Sequence, residues 1–470
     1  MGTISAAFGL ISQALDADQS ALSIVSNNVG NANTPGYTRE VPDWQENAPI
    51  YVNGVAYGSG VSQTGPTSIR DKVLLERLNQ QQQLSSASSA RLTALDNVQA
   101  LFPPDSGTSS ASAGDIGSDI TKFFSSFSSL ESNPTDNALR QQVLSSATTL
   151  AGDISNAAAS LNGQKSALDQ DASGVTSQVN ALTGAIAQLN QQIQSTSPNA
   201  DAGTLEDQRQ QDIGALSQLV GINQTTTENN GLTITTTSGA LLVSESQSFQ
   251  MTTGPVAGVT HFFLGGADVT ASLASGGGEL GGDLTARDQD IPNALSSLDQ
   301  LAYNVSTQVN TVNNGGTDLA GDNGGAGDIF FQPAAVAGSA STMAVVMTDP
   351  NHIAAAGLGL GTGDNSNAVA MANLANQTIV GGATPTNFYS NFVTTLGSTV
   401  SGVQTDNTAQ AASVTQLQTQ NNALSQVSLD DEASSMQVLE RSYQAASQVF
   451  TLLNTIMASA LNLGEQTTVT

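Results

Sequence analysis

The chain has no cysteine among its 470 residues, so disulfides and thiolate metal sites are excluded. Basic side chains are almost as scarce. Eleven Lys and Arg stand against 39 Asp and Glu, a formal net charge of −28. Nucleic-acid binding needs clustered Lys and Arg to neutralise phosphates, and an anionic lipid surface selects for the same residues. Neither partner is expected. The bases are also uneven: none lies between Arg287 and Arg441, and the densest group is Arg70, Lys72, Arg77 and Arg91. The remaining acidic charge reads as a solvated surface that resists aggregation. Aromatics make up only 4%, which favours long helices and small β units over one large aromatic core. No apolar run is long enough to span a bilayer, so no membrane insertion is expected. The first base is Arg39, and Asp16 and Asp18 interrupt the first apolar stretch, so a Sec-type signal is not expected either. Taken alone, these features fit a cytoplasmic protein or one exported without a cleaved signal.

Catalytic chemistry is also missing. The two histidines, His261 and His352, lie far apart, and each reads as a surface or core residue. The run from Gly357 to Gly363 lacks the third glycine of a dinucleotide fingerprint and follows no clear strand, so it reads as a loop. Asp318, Asp322 and Asp328 stand among glycines, but their spacing fails the calcium-loop pattern. No enzyme activity, cofactor or metal is expected.

What the chain does have is a long amphipathic pattern at each end. Ile4, Phe8, Ile11, Leu15, Leu22, Val25 and Val29 recur in heptad-like steps, with Asp18 at the one polar position. Asn27, Asn28, Asn31 and Asn33 then end the helix, because asparagine competes for backbone hydrogen bonds. Thr34-Pro35-Gly36-Tyr37 suits a type II turn with glycine at i+2. At the other end, Met436, Leu439, Tyr443, Ala446, Phe450, Leu453, Met457 and Ala460 alternate in steps of three and four. Ser428 is the expected N-cap there, with Asp430, Asp431 and Glu432 in the first turn, where the helix dipole favours acids. An isolated amphipathic helix is marginal in water. Both ends are therefore expected to be loosely ordered until they pack on each other and on neighbouring copies.

Between the ends, extended pieces are expected over 38–69. A helix is expected from Ser68 to Val98, stopping before Pro103, then a Ser/Gly loop over 105–114 and helices over 116–130, 136–195 and 205–219. Leu168, Val175, Val179, Leu182, Ile186, Leu189 and Ile193 read as a coiled-coil seam. From Ile222 the period changes to that of strands, with a hairpin across Ser238-Gly239, further strands near 249–251 and 261–264, and glycines 276–278 and 281–282 closing the β unit. A helix over 291–312, a short strand over 343–348 and a last helix from Asn387, broken near Ser428, complete the pattern. The expected fold is mainly α with a small β domain: long coiled-coil-like helices from both termini pack together, and the β unit is inserted in the middle. Five segments are expected. They are an axial helix with extended segment (1–67), a helical domain (68–225), a small β domain (226–285), a return helix with a short mixed segment (286–385) and C-terminal axial helices (386–470).

The run Asn27-Asn28-Val29-Gly30-Asn31-Ala32-Asn33-Thr34-Pro35-Gly36-Tyr37, together with the C-terminal helix, resembles the axial proteins of the bacterial flagellum (rod, hook and hook-associated proteins). Five further segments narrow the resemblance to hook-associated proteins of the hook–filament junction type. They are Tyr37-Thr38-Arg39, Leu205-Glu206-Asp207-Gln208-Arg209-Gln210-Gln211, the stretch from Gly278 to Asp288, Leu429-Asp430-Asp431-Glu432 and Tyr443-Gln444-Ala445-Ala446. The resemblance implies a secreted structural subunit, exported by the flagellar type III apparatus without a cleaved signal. It implies self-assembly as a ring at the distal hook end, required for filament attachment. The implied partners are the hook protein, a second junction protein with the filament, and a cytoplasmic export chaperone at the C-terminal helix. The assembly residues would be Phe8, Ile11, Leu15, Leu22, Val25, the Asn27–Tyr37 segment and the Met436–Met457 stripe.

Two other readings compete. Another rod or hook protein is one, although the Gln-rich helices before residue 220 argue against a hook protein with a mainly β middle. A secreted non-flagellar adhesin or fibre subunit is the other, but it would carry a Sec signal and regular repeats, and neither is present. Two readings stay open for the bases Arg70–Arg91 and the acids Asp430–Glu432: a contact between neighbouring subunits, or independent solvated faces.

Overall fold

The computed structural model describes residues 2–52, 54–103, 115–197, 200–324 and 327–465. The chain enters as α1 (Gly2–Asn31). Asparagine ends it as expected: Asn31 Nδ2 turns back onto the Asn27 carbonyl at 3.0 Å. Tyr37 N then donates to the Thr34 carbonyl, with Gly36 at φ 77°, the type II geometry that glycine allows. Four strands follow: β1 (Glu40–Glu46), β2 (Ile50–Val52), β3 (Val55–Tyr57) and β4 (Val61–Ser68). β1 pairs antiparallel with β4, and β2 with β3 forms a hairpin between them.

Helix α2 (Lys72–Gln99) begins four residues later than expected. Ser68 is the last residue of β4, and its N–H is taken by Asp201. The cap is Asp71, whose carboxylate accepts from Val73 N and Leu74 N at 3.0 Å each. The expected loop over 105–114 lies outside the described residues apart from its flanks. Helices α3 (Ile116–Ser132) and α4 (Asn137–Thr196) are capped by Asp115 and Asp136. α4 runs for 60 residues, roughly 90 Å at the helical rise, and it joins two cores. Its first half, from Val143 to Leu161, packs with Phe102, Phe123, Phe127 and Phe330. Its second half carries the seam residues. Val175, Val179, Leu182 and Ile186 face the β unit and α5 (Thr204–Leu219) rather than a second long helix, while Leu168 packs on the helical core.

The β unit starts at Ile222. β5 (Ile222–Thr226), β6 (Leu232–Thr236), β7 (Leu241–Ser244) and β8 (Gln247–Ser248) form an antiparallel meander in that order. β9 (Met251–Val256), β10 (Val259–Leu264) and β11 (Ala267–Asp268) form a second, three-stranded sheet. The β6–β7 turn falls at Ser238-Gly239, with Gly239 at φ 90°. Helices α6 (Thr270–Ala274), α7 (Gly278–Thr285) and α8 (Ile291–Asn314) return the chain to the helical core. Of the glycines expected to close the β unit, Gly277 does so, its carbonyl accepting from Gly221 N. Gly281 and Gly282 instead lie inside α7. A Cβ on Gly282 would sit 2.3 Å from the Ala87 carbonyl oxygen, so glycine is what lets α7 cross α2 so closely.

Beside that crossing, burial first and then Glu279 and Asp171 push the Asp283 carboxyl up to about 7. An unfolded aspartate ionises near 4. The contribution of this group to stability is therefore full below about pH 4 and is lost as pH rises through about 7. Asp283→Asn is expected to flatten that slope, raising stability at pH 8 by a few kcal/mol (order of magnitude) relative to pH 4. Urea titrations of both chains at the two pH values check this.

The chain continues through β12 (Gly316–Thr317), α9 (Ser339–Thr342), β13 (Ala356–Gly357) and α10 (Ser366–Asn373), with β12 paired to β13. The strand expected over 343–348 does not form. Met343 and Met347 are buried as its alternation implied, but only the Phe330–Val345 bridge pairs with the segment, so no ladder develops. Last come α11 (Pro385–Ser425) and α12 (Leu429–Glu465). Between them Ser428 Oγ accepts from Asp431 N at 3.4 Å, as expected of the cap. α11 packs along α2, and α12 packs along α1.

Candidate assembly interface

The two terminal stripes meet each other. Phe8 and Phe450 pack edge to face, with ring centroids 4.7 Å apart. Nearer the domain, Ala21 and Val25 of α1 bury against Leu439, with Leu22 and Met436 flanking. Ile11, Leu15, Ala446 and Leu453 are half-buried along the same pairing, whereas Val29, Tyr443 and Met457 remain exposed. A single partner helix covers only one side of α12. An adjoining face, about 100° around the helix from the first stripe, carries a second apolar row, Val438, Val449, Leu452 and Ile456, each 42–66% exposed. The sequence reading followed one heptad stripe and missed this row, although the spacing 438, 445, 449, 452, 456 marks it. Between β1 and α12 lies an apolar cleft of about 370 Å³ lined by Val25, Val41, Pro42, Trp44 and Val438. The β2–β3 hairpin likewise exposes Ile50, Tyr51, Val55 and Tyr57.

The Asn/Pro/Gly segment ties these helices to the rest of the molecule. Asn28 is buried and has every polar position filled. Its Nδ2 donates to the Glu40 carbonyl at 2.8 Å and to Glu432 at 3.2 Å, and its Oδ1 accepts from Tyr37 Oη at 2.8 Å and Glu40 N at 3.0 Å. Glu432, with 1% of its side chain exposed, takes Arg39 Nε at 2.6 Å. Arg39 N also donates to the Ser425 carbonyl. One residue thus clamps the elbow between α11 and α12. Burial, aided by Glu40, Asp207 and Glu432, pushes the Tyr37 hydroxyl up to about 12, so it remains a donor to Asn28. Asn27 and Asn31 bond each other, and Thr34 Oγ1 donates to Asn31 Oδ1. Asn33, Thr34, Pro35 and Gly36 are exposed.

Two of the sequence segments that carry the resemblance touch in space. Thr38 N donates to Asp207 at 2.9 Å, and Gln211 Nε2 donates to the Pro35 carbonyl at 3.0 Å. Arg70 pairs with both Glu206 and Asp207, while Arg91 pairs with Asp290. This corrects the charge expectation: Arg70, Arg91 and Glu432 are all engaged within the chain. At Gly36 an added Cβ would lie 2.1 Å from Gln211 Nε2, on a backbone of positive φ. Gly36→Ala is expected to cost about 1–2 kcal/mol from the left-handed backbone alone. A chemical-denaturation comparison reads the loss.

The remaining polar groups serve local structure. His261 Nδ1 sits 2.6 Å from Asp268 in the outer sheet. His352 Nδ1 sits 2.7 Å from the buried Asp318, whose other oxygen accepts from Asp322 N. Asp318, Asp322 and His352 have ligand atoms within 4.8 Å of one another. Asp328 stands apart and accepts from Asn314. The hydrogen bonds of Asp318 account for this cluster as a cross-tie between two loops. The glycine run that starts at Gly357 leaves β13 as turns, with Gly357 N held by Asp364.

A family model described as the flagellar hook-associated protein FlgK helical domain matches residues 105–331, and one described as the flagella basal body rod protein matches residues 12–38. Flagellar hook-associated protein 1 of Escherichia coli (strain K12) is 29% identical over 329 residues, which is 67% of this chain and 58% of that relative. That match therefore spans less than two thirds of the relative's length. The protein of the same description from Bacillus subtilis (strain 168) is 25% identical, with 96% of each chain covered. The solved structure of the flagellar hook junction protein FlgK from Burkholderia pseudomallei shares the fold, with a TM-score of 0.65 at 18% identity over 75% of this chain and 100% of that one. In these stretches of sequence and in its fold, the chain is similar to the flagellar hook-associated proteins of the hook–filament junction type.

Proposed function

We propose that this chain forms the junction ring between hook and filament, assembling through its paired terminal helices, and that filament attachment requires it. The observation that carries this reading is the second apolar row of α12, left open after α1 has covered the first. A contiguous exposed apolar surface of this kind marks an interaction site, and copies packed side by side through α1 and α12 would cover it. The Asn27–Tyr37 segment fixes the angle at which the helix pair leaves the helical domain, so that every copy presents the same surface. The assembly residues are then Phe8, Ile11, Leu15, Leu22 and Val25 on α1, the Asn27–Tyr37 elbow, and Met436–Met457 on α12.

The partners in this reading are further copies of the chain, the hook protein on one side, and a second junction protein with the filament on the other. Export proceeds through the flagellar type III apparatus without a cleaved signal. A cytoplasmic chaperone covers the open face of α12 before export, in the helix-in-groove manner that suits an amphipathic helix. No described helix is long and apolar enough to cross a membrane.

Electron microscopy of cells lacking the protein tests this role. Hooks without filaments, with flagellin shed into the medium, are expected. Normal filaments would overturn the junction reading.

A further inference from the structure

We infer a lateral contact between copies in which the exposed bases at the start of α2 meet the exposed acids at the start of α12 of a second copy. The inference rests on the assembly reading and adds the contact surface. A chain of net charge −28 repels its own copies. Side-by-side packing brings surfaces within a screening length of about 8 Å, so any base left free at the surface marks where a neighbour's acid is welcome. Most of the bases are already engaged internally. Arg39, Arg70, Arg91, Lys122 and Arg287 hold ion pairs, while Arg140 and Arg209 donate to carbonyl and amide oxygens. Among the described residues, the exposed bases with no such partner are Lys72, Arg77 and Arg441. Two of the three lie within two turns of α2.

They do not stand alone. Val73 between them is 67% exposed, and Leu84 continues the same outer row. The complementary surface is on the chain itself. Of the three acids that open α12, Glu432 turns inward to Arg39, whereas Asp430 and Asp431 are exposed and their carboxylates have no partner among the described residues. Leu429 beside them is 53% exposed, and Leu424 is open on the last turn of α11. Two bases with two apolar side chains thus face two acids with two apolar side chains. The surfaces differ, so the contact is head-to-tail, which closes into a ring or continues as a helical array. The exposed ion pairs contribute little each. Their role is to select register and to suppress the acid-to-acid approach that the rest of the surface would impose.

The absence of native cysteine makes the test clean. Full-length chain carrying Val73→Cys is mixed at high concentration with full-length chain carrying Leu429→Cys, and disulfide-linked dimer is measured under mild oxidation. Val73→Cys mixed with Val256→Cys, on the exposed β unit, gives the collisional background. Dimer well above that background is expected for the 73–429 pair. Adding Lys72→Glu and Arg77→Glu to the first chain should reduce the yield roughly tenfold. Adding Asp430→Lys and Asp431→Lys to the second chain should restore it. A 73–429 yield at background, or one indifferent to both charge changes, overturns the contact. Sedimentation of the unaltered chain separates the two levels. Oligomers without the 73–429 link overturn this contact alone, and a chain monomeric under all conditions overturns the assembly reading with it.

Discussion

Arg39→Met is expected to cost about 2–4 kcal/mol at the start of α12, somewhat below the usual loss for breaking a fully buried ion pair because Arg39 is a quarter exposed. The substitution strands Glu432, whose side chain is 1% exposed and would keep only the 3.2 Å bond from Asn28. An uncompensated buried carboxylate is the expensive case, far more so than losing a solvated pair. Amide exchange over residues 432–440 should accelerate by roughly thirty- to a thousandfold, the same free energy expressed as an opening equilibrium. Glu432→Gln in the same chain should recover much of the loss, since a neutral amide tolerates burial beside Asn28 and needs no cation. Exchange that is unchanged in Arg39→Met would mean that the elbow is held by the Arg39 N to Ser425 carbonyl bond and by helix packing, without the ion pair.

The second large effect falls on assembly and spares the monomer. Leu452 and Ile456 are exposed in the single chain, so changing both to Asp should alter its unfolding free energy by no more than about 0.5 kcal/mol per site. If the same residues are buried between copies, each contributes about 1.5–3 kcal/mol there, and a buried unpaired carboxylate opposes the contact further. Association should weaken at least a hundredfold, by about 3 kcal/mol or more. Sedimentation of the purified variant and filament counts on cells that carry it read the two consequences. Retained assembly with full filament numbers would show that this face of α12 is not an interface.

The legible parts of the fold were those where one physical signal dominates. Heptad spacing placed α1 and α12, the asparagines placed the end of α1 and Ser428 the start of α12, and Ser238-Gly239 placed a hairpin turn. What the sequence hid depends on contacts between distant segments. Periodicity shows that Val175, Val179 and Ile186 share a face, but not that this face meets sheets rather than a helix. Gly282 reads as a loop residue until α2 is seen crossing it at van der Waals distance. Met343 and Met347 alternate like a strand, yet the segment beside them pairs only around the Phe330–Val345 bridge, too briefly for a ladder. At the interface, the Asn28 side chain could be marked as part of a motif, but its four bonds reach from Tyr37 to Glu432, 404 residues away in the last case. Which bases are free was equally invisible. Arg70 and Lys72 are two residues apart, and only the fold shows that one is consumed by Glu206 and Asp207 while the other faces outward.

The central claim is that α1 covers one face of α12 and that copies of the chain cover the adjoining one. Amide exchange over residues 439–460, in dilute monomer and in assembled material, addresses it directly. Weak protection in the monomer with a strong gain on assembly is the expected result. Strong protection already present in the monomer, or no gain on assembly, would contradict it.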